Sequence, residues 1–181
     1  CGGGDSGSDI SESNQSSAET PEAKTSQVEQ IDLDDPETLD EIIAGATVGD
    51  ELEQRGKEGE GLSYARNEQK PYTGWNVIFH DNGQIKYLVQ YKDGKPNGLL
   101  TSWYENGLMH GEGYYKNGKQ DGLSIKWFVS NGQRQVEATY KDGKLMTIVS
   151  FKPNGEKCSV TNLKDGNGVV IEYNDDGTEK Y

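Results

Sequence analysis

Glycine recurs every 24 residues at Gly74, Gly98 and Gly122, and each interval holds two Asx-Gly pairs about eleven residues apart. The pairs form one nearly regular series: Asn82-Gly83, Asp93-Gly94, Asn106-Gly107, Asn117-Gly118, Asn131-Gly132, Asp142-Gly143, Asn154-Gly155, Asp165-Gly166 and Asp176-Gly177. Asn or Asp followed by Gly is the strongest short-range hairpin signal, because tight hairpin turns need positive φ at two successive residues. A chain punctuated in this way reverses direction at every pair. The segments between the pairs are six to eight residues long and rich in Tyr, Trp, Val, Ile and Thr, the composition of half-buried strands. Units of this size bury apolar surface only by stacking on their neighbours.

The fold class expected is all-β: an elongated, single-layer antiparallel meander of hairpin repeats. It has about eleven strands if Leu62 to Ala65 adds one at the start and Thr178 to Tyr181 one at the end. At roughly 4.8 Å per strand the ribbon spans about 48 Å. Every second residue of the first strands reads Trp75, Val77, Phe79, then Leu99, Thr101, Trp103, then Leu123, Ile125, Trp127. The second strands give Ile85, Tyr87, Val89, Tyr91, then Met109, Gly111, Gly113, Tyr115, then Arg134, Val136, Ala138, Tyr140. The alternate positions are mostly polar, so one face is expected to be apolar and the other wet. A ring of Trp103 or Trp127 is expected to lie over the bare backbone of Gly111 and Gly113. The repeat aromatics Trp75, Phe79, Tyr91, Trp103, Tyr115, Trp127, Tyr140, Phe151 and Tyr173 are assigned to packing.

Composition divides the chain. Residues 1 to 60 carry 17 acidic and 3 basic side chains, net −14, whereas residues 61 to 181 carry 14 acidic and 15 basic, net +1. A like-charged, Ser- and Gly-rich leader with almost no aromatics cannot offset chain entropy by burial, so residues 1–32 are expected to form a disordered acidic tether. Nothing in the repeats supplies the basic patch that phosphate contacts require, and nucleic acid is excluded as a partner. Residues 33–60 are expected to form a short helical capping segment. Asp35 is the N-cap, Pro36 the first helical residue, and Leu39, Ile42, Ile43 and Ala46 form one stripe, giving a helix from about Pro36 to Ala46. A second helical turn is expected from Asp50 to Arg55. Residues 61–181 form the repeat sheet.

Two resemblances follow from particular residues. Cys1, followed by the polar tract GGGDSGSDISESNQSS, resembles the start of a mature bacterial lipoprotein, which implies acylation of Cys1 and anchoring in the cell envelope. Gly2 in place of Asp leans toward the outer membrane by the enterobacterial sorting pattern. Tyr91-Lys92-Asp93-Gly94-Lys95-Pro96-Asn97-Gly98, Trp103-Tyr104-Glu105-Asn106-Gly107 and Tyr115-Lys116-Asn117-Gly118-Lys119-Gln120-Asp121-Gly122 resemble the variant MORN repeat of bacterial proteins grouped with the YwqK-type antitoxin component. The resemblance covers roughly Tyr72 to Tyr173 and implies a protein-binding role, with a toxin as one partner. The pattern loosens late: an extra residue sits in Phe128-Val129-Ser130-Asn131, and Met146 fills the slot of the repeat glycine.

Chemistry is sparse. The chain's two histidines, His80 and His110, fall in different repeats without a neighbouring ligand and are expected on the surface. Cys158 has no obvious partner thiol or base and is expected on a strand as a structural or exposed free thiol. Asp165-Gly166-Asn167-Gly168 departs from a calcium loop at Val169 and at Asp176, and reads as a turn. No catalytic residue, metal or cofactor is assigned. The expected function is a non-enzymatic, lipid-anchored envelope protein whose repeats bind another protein. The alternative is a glycan- or phospholipid-headgroup-binding module with Trp75, Trp103 and Trp127 as platforms.

Overall fold

A computed structural model describes residues 31–33, 35–57 and 61–180. Of the tether expected over residues 1–32, residues 1–30, including Cys1, lie outside the described residues. Beyond it, helix α1 (Pro36–Gly45) is followed by β1 (Thr47–Val48), a 3-10 turn (Gly49–Glu51), β2 (Leu52–Arg55) and β3 (Leu62–Ala65). The repeats supply β4 (Gly74–Phe79), β5 (Ile85–Lys92), β6 (Lys95–Trp103), β7 (Met109–Lys116), β8 (Lys119–Trp127), β9 (Arg134–Lys141) and β10 (Lys144–Ser150). Shorter strands close the chain: β11 (Asn162–Lys164), β12 (Asn167–Val169), β13 (Glu172–Tyr173) and β14 (Glu179–Lys180).

The meander is present. Strands β4 to β12 pair in sequence order, each antiparallel to the next, and β1 adds to the β4 edge in parallel, giving ten strands. Both ends depart from the expected order. Leu62–Ala65 pairs with β2 in a separate two-stranded ribbon rather than leading the sheet, and β14 pairs with β13 alone. The residues expected as a helical turn from Asp50 to Arg55 are mostly the strand β2. Helix α1 starts as expected: the Asp35 carboxylate accepts from the Thr38 N–H at 3.0 Å, with Pro36 at the first helical position.

The Asx-Gly pairs divide into two turn types. At Asp93-Gly94, Asn117-Gly118, Asp142-Gly143 and Asp165-Gly166 both residues have positive φ, 49–52° at the Asx and 79–82° at the Gly. These are two-residue type I′ turns, whose twist suits the flanking strands. At Asn82, Asn106, Asn131, Asn154 and Asp176 the positive φ is confined to the following Gly. There the side-chain Oδ1 accepts from the N–H two residues on, at 2.9–3.0 Å. That Asx bond replaces the second left-handed residue and makes a longer turn closed by a bulge. The extra residue after Phe128 is absorbed in such a turn, closed by Phe128 N–H to Gln133 O at 2.8 Å.

The period has a hydrogen-bonding basis. Gly94, Gly118 and Gly143 donate their N–H groups to Tyr72 O, Pro96 O and Gln120 O, each at 2.8 Å. The residue before each of those glycines donates to the side chain of Thr73, Asn97 or Asp121 at 3.0–3.2 Å. Each I′ turn is therefore tied to the connection one repeat earlier, and this bond set recurs along the sheet. Gly98 sits in a register shift with φ 114°, where a Cβ would run into the Gln90 side chain.

The faces correct the expectation of one apolar and one wet side. Register places Val77, Leu88, Thr101, Glu112, Ile125 and Glu137 opposite one another in a row, all on one face. Asn76, Val89, Leu100, Gly113, Ser124, Ala138 and Ile148 form the matching row on the other. The apolar column of each first strand thus lies on the face opposite that of the second strand. Alternation fixes faces within a strand, but loop length fixes which residue stands opposite on the next, and a one-residue slip inverts the face. Each face carries its own thin core: Val77, Leu88, Thr101 and Ile125 on the first, and Val89, Val136, Ala138 and Ile148 on the second, all buried.

Trp75, Trp103 and Trp127 follow Val77, Thr101 and Ile125 by alternation, so the three indoles share the first face, all half-buried. Gly111 and Gly113 belong to the second face. A tryptophan does not cover them; Ser102, Ser124, Gln120 and Lys126 border that bare backbone.

Candidate functional site

The site is built where the longer turns of successive repeats line one side of the sheet. His80, Tyr104 and Phe128 occupy equivalent positions, the first residue after a repeat's first strand. Each reaches toward the next repeat. His80 Nε2 lies 2.9 Å from Trp103 O, and the Tyr104 hydroxyl donates to Trp127 O at 3.0 Å. Phe128 is 1 % exposed and packs against Cys158, Tyr173 and Ile171.

Between the first two repeats an open groove of about 470 Å³ remains, walled by Tyr87 and Tyr104, with His80, His110, Lys86 and Trp103, whose carbonyl meets His80, also lining it. Clefts of about 300–1,000 Å³ lined by aromatics with a few polar groups are the usual form of binding sites. The two histidines, expected as separate surface residues, are both half-buried here. They meet because the longer turns stack laterally, a relation that a search for ligand spacing along the sequence does not detect. The His110 ring lies against Tyr104, with centroids 4.6 Å apart, and its Nδ1 is 3.3 Å from the Ser102 hydroxyl. Burial, and then Lys126, lower the His110 pKa and favour neutral imidazole. Burial, and then Asp175, raise that of Tyr104. With the His110 imidazole and the Tyr104 phenol beside Lys86 and Glu105, the groove is suited to hydrogen bonding and ring packing.

Further along the same side the groove is filled. The β13–β14 hairpin folds back so that Tyr173, 7 % exposed, lies against Phe128 and Cys158. Gln135 Nε2 donates to Tyr173 O at 2.7 Å, and Ser130 N–H donates to the Asp175 carboxylate at 3.0 Å. Cys158 is 3 % exposed and lies just beyond a lone bridge at Lys157 rather than in a strand, which makes its role structural.

Donation from Thr161 and from the Tyr173 hydroxyl, the latter at 3.2 Å, holds the Cys158 thiol down at about 7. Burial opposes this, but the hydrogen bonds to the anion outweigh it. The engaged Tyr173 hydroxyl is correspondingly pushed up to about 12. An acid whose folded pKa is depressed adds stability above its unfolded pKa, about 8.5 for Cys, and loses it as pH falls through the folded value. The stability gain from pH 6 to pH 9.5, measured by urea denaturation, is therefore expected to shrink in Cys158→Ala. A thiolate absorbance titration of Cys158 is expected to centre near 7; a midpoint at 8.5 or above contradicts the assignment.

Among the other sequence-predicted residues, Tyr91 pairs edge-on with Tyr72, centroids 5.9 Å apart. Tyr140 packs against the Val136, Ala138 and Ile148 cluster. Tyr115 and Phe151 are half-buried, whereas Phe79 is 40 % exposed. The glycines of all nine pairs occupy turns with positive φ. Among the described residues no group of three or more His, Cys, Asp or Glu is placed to hold a metal ion, and no helix is long and apolar enough to cross a membrane.

Residues 77–93 and 96–119 match the MORN repeat variant family. Residues 77–119 carry MORN repeats. No curated protein matches the chain. The matched MORN stretch contains most of the open groove, including His80, Tyr87, Trp103, Tyr104 and His110. Its two turn types continue past the match, at Asn131-Gly132, Asp142-Gly143, Asn154-Gly155 and Asp165-Gly166. Such repeats commonly serve as protein or membrane interaction modules, in keeping with a non-enzymatic repeat protein.

Proposed function

We infer that this chain is a non-enzymatic binding module whose repeat sheet recognises another protein. The observation that carries the reading is the open groove at the first repeat junction, with the Tyr87 and Tyr104 walls and hydrogen-bonding groups at a site the chain's own core leaves accessible. Aromatic side chains in partly desolvated pockets dominate protein interfaces. A toxin, implied by the resemblance to YwqK-type antitoxin proteins, is the specific partner within this reading. Acylation of Cys1 would hold the module at the envelope, with the outer membrane favoured, and the N-terminal peptide is then expected to carry the mass of acyl chains.

The test is crosslinking and affinity capture from native envelope, comparing the wild-type chain with Tyr87→Ala. One partner is expected to be captured reproducibly and to fall at least tenfold with the variant. A partner profile identical for both would remove the groove from the interaction.

A further inference from the structure

The repeat pattern places Lys86, His110, Gln135 and Cys158 at equivalent positions along one side of the sheet. Trp103 is likewise equivalent to Trp127, and Tyr104 to Phe128. This lateral trough has a filled half and an open half. In the filled half the chain supplies its own ligand. Residues 171–173 run as a short extended segment, the Tyr173 carbonyl accepts from Gln135 at 2.7 Å, and the Tyr173 ring is buried against Phe128 and Cys158. The half lined by Lys86 and His110 is the groove of about 470 Å³.

We propose that the open half is a docking site for an extended segment of a partner protein that inserts one aromatic side chain between Tyr87 and Tyr104, as Tyr173 is inserted one repeat further on. The inference rests on the protein-binding reading above and specifies its ligand. Three features support the match. Tyr104 offers a ring where Phe128 offers one to Tyr173. His110 stands where Gln135 stands; the Ser102 hydroxyl donates to Gly111 O, so His110 Nδ1–H donates to Ser102 and its Nε2 is left to accept a peptide N–H. The lining of the open groove reaches Val129, the residue next to Phe128, so the two halves are adjacent. Burying a flat ring at the centre of such an interface while the backbone hydrogen-bonds alongside is an established way of recognising an extended peptide.

The probe is a synthetic peptide copying residues Val170 to Thr178, VIEYNDDGT, with a second peptide carrying Tyr173→Ala. Each is titrated into the intact chain and followed by NMR. Saturable shifts are expected at the Tyr104 and His110 rings and at Tyr87, with the Ala peptide at least tenfold weaker. The Tyr87→Ala chain, checked for fold by circular dichroism, is expected to lose at least tenfold in affinity for the Tyr peptide. Equal binding of the two peptides, no saturable shifts, or shifts centred on Phe128 and Cys158 would each overturn the proposal, the last because the peptide would then be replacing the chain's own hairpin. If the peptide is silent but envelope capture still yields a partner, the aromatic-insertion mode fails and the binding-module reading stands.

Discussion

Replacing Gly94 with Ala is expected to destabilise the protein by about 3 kcal/mol, against about 1 kcal/mol for Gly83→Ala. The two glycines share a backbone conformation, φ 79° and 83°, so the left-handed strain imposed on an Ala Cβ, roughly 1–2 kcal/mol, is common to both. They differ in what the Cβ meets. At Gly83 nothing lies within 4 Å. At Gly94 the new atom would stand 2.8 Å from Leu62 Cβ, 3.0 Å from Ser63 O and 3.1 Å from Pro71 Cβ. Two of these neighbours are close to the backbone and belong to the β2–β3 ribbon, which is hooked to this turn by Ser63 N–H donating to Gly94 O at 2.8 Å. Overpacking of this kind typically costs a further 1–3 kcal/mol. Urea denaturation of the two variants is the check. Equal losses would mean that β3 does not dock against the turn.

Phe128→Ala is expected to cost about 3–5 kcal/mol, the usual range for a buried aromatic. Phe128 is 1 % exposed, and the cavity left by its ring would open beneath Tyr173 and Cys158. Neighbouring atoms cannot refill it, because one wall is the sheet and the other is a hairpin of two-residue strands. That hairpin is held by the Gln135 and Asp175 bonds, by Thr161 bonding Ile171 just before it, and by the Tyr173 ring packed on Phe128 and Cys158; removing the Phe128 ring takes away much of that packing, so the variant should release the hairpin before the sheet melts. Alkylation of Cys158 by iodoacetamide, read by peptide mass, is expected to accelerate at least tenfold at urea concentrations where the far-UV signal is still native. Unchanged alkylation alongside a loss below 1 kcal/mol would show that the hairpin does not depend on Phe128.

The hairpins were legible because Asx-Gly encodes a reversal locally. Asp93-Gly94 needs two left-handed residues and contains two that tolerate them. The difference between this turn and Asn82-Gly83 is not in the dipeptide. It lies in whether the Asx side chain can bond forward, as Asn82 does to Gln84, and that depends on flanking loop length. The face assignment failed for the same reason: Val77 faces Leu88 rather than Val89 because the connection between their strands sets the parity. His80 and His110 are 30 residues apart and share a groove only through the lateral stacking of turns. Tyr173 was assigned to packing in the sequence, but the surface it packs on, over Phe128 and Cys158, depends on a fold-back that period-2 alternation does not describe. Met146 replaces the repeat glycine without consequence for the strand, since the register shift between Leu145 and Thr147 absorbs it without positive φ.

The trough, filled at one end by Tyr173 and open at the other, is tested most directly by nuclear Overhauser contacts from the Tyr173 ring in solution. Contacts to the Phe128 ring and the Cys158 β-protons are expected, with none to Tyr87 or His110. Contacts to Tyr87 and His110 instead would put the chain's own hairpin in the groove assigned to a partner.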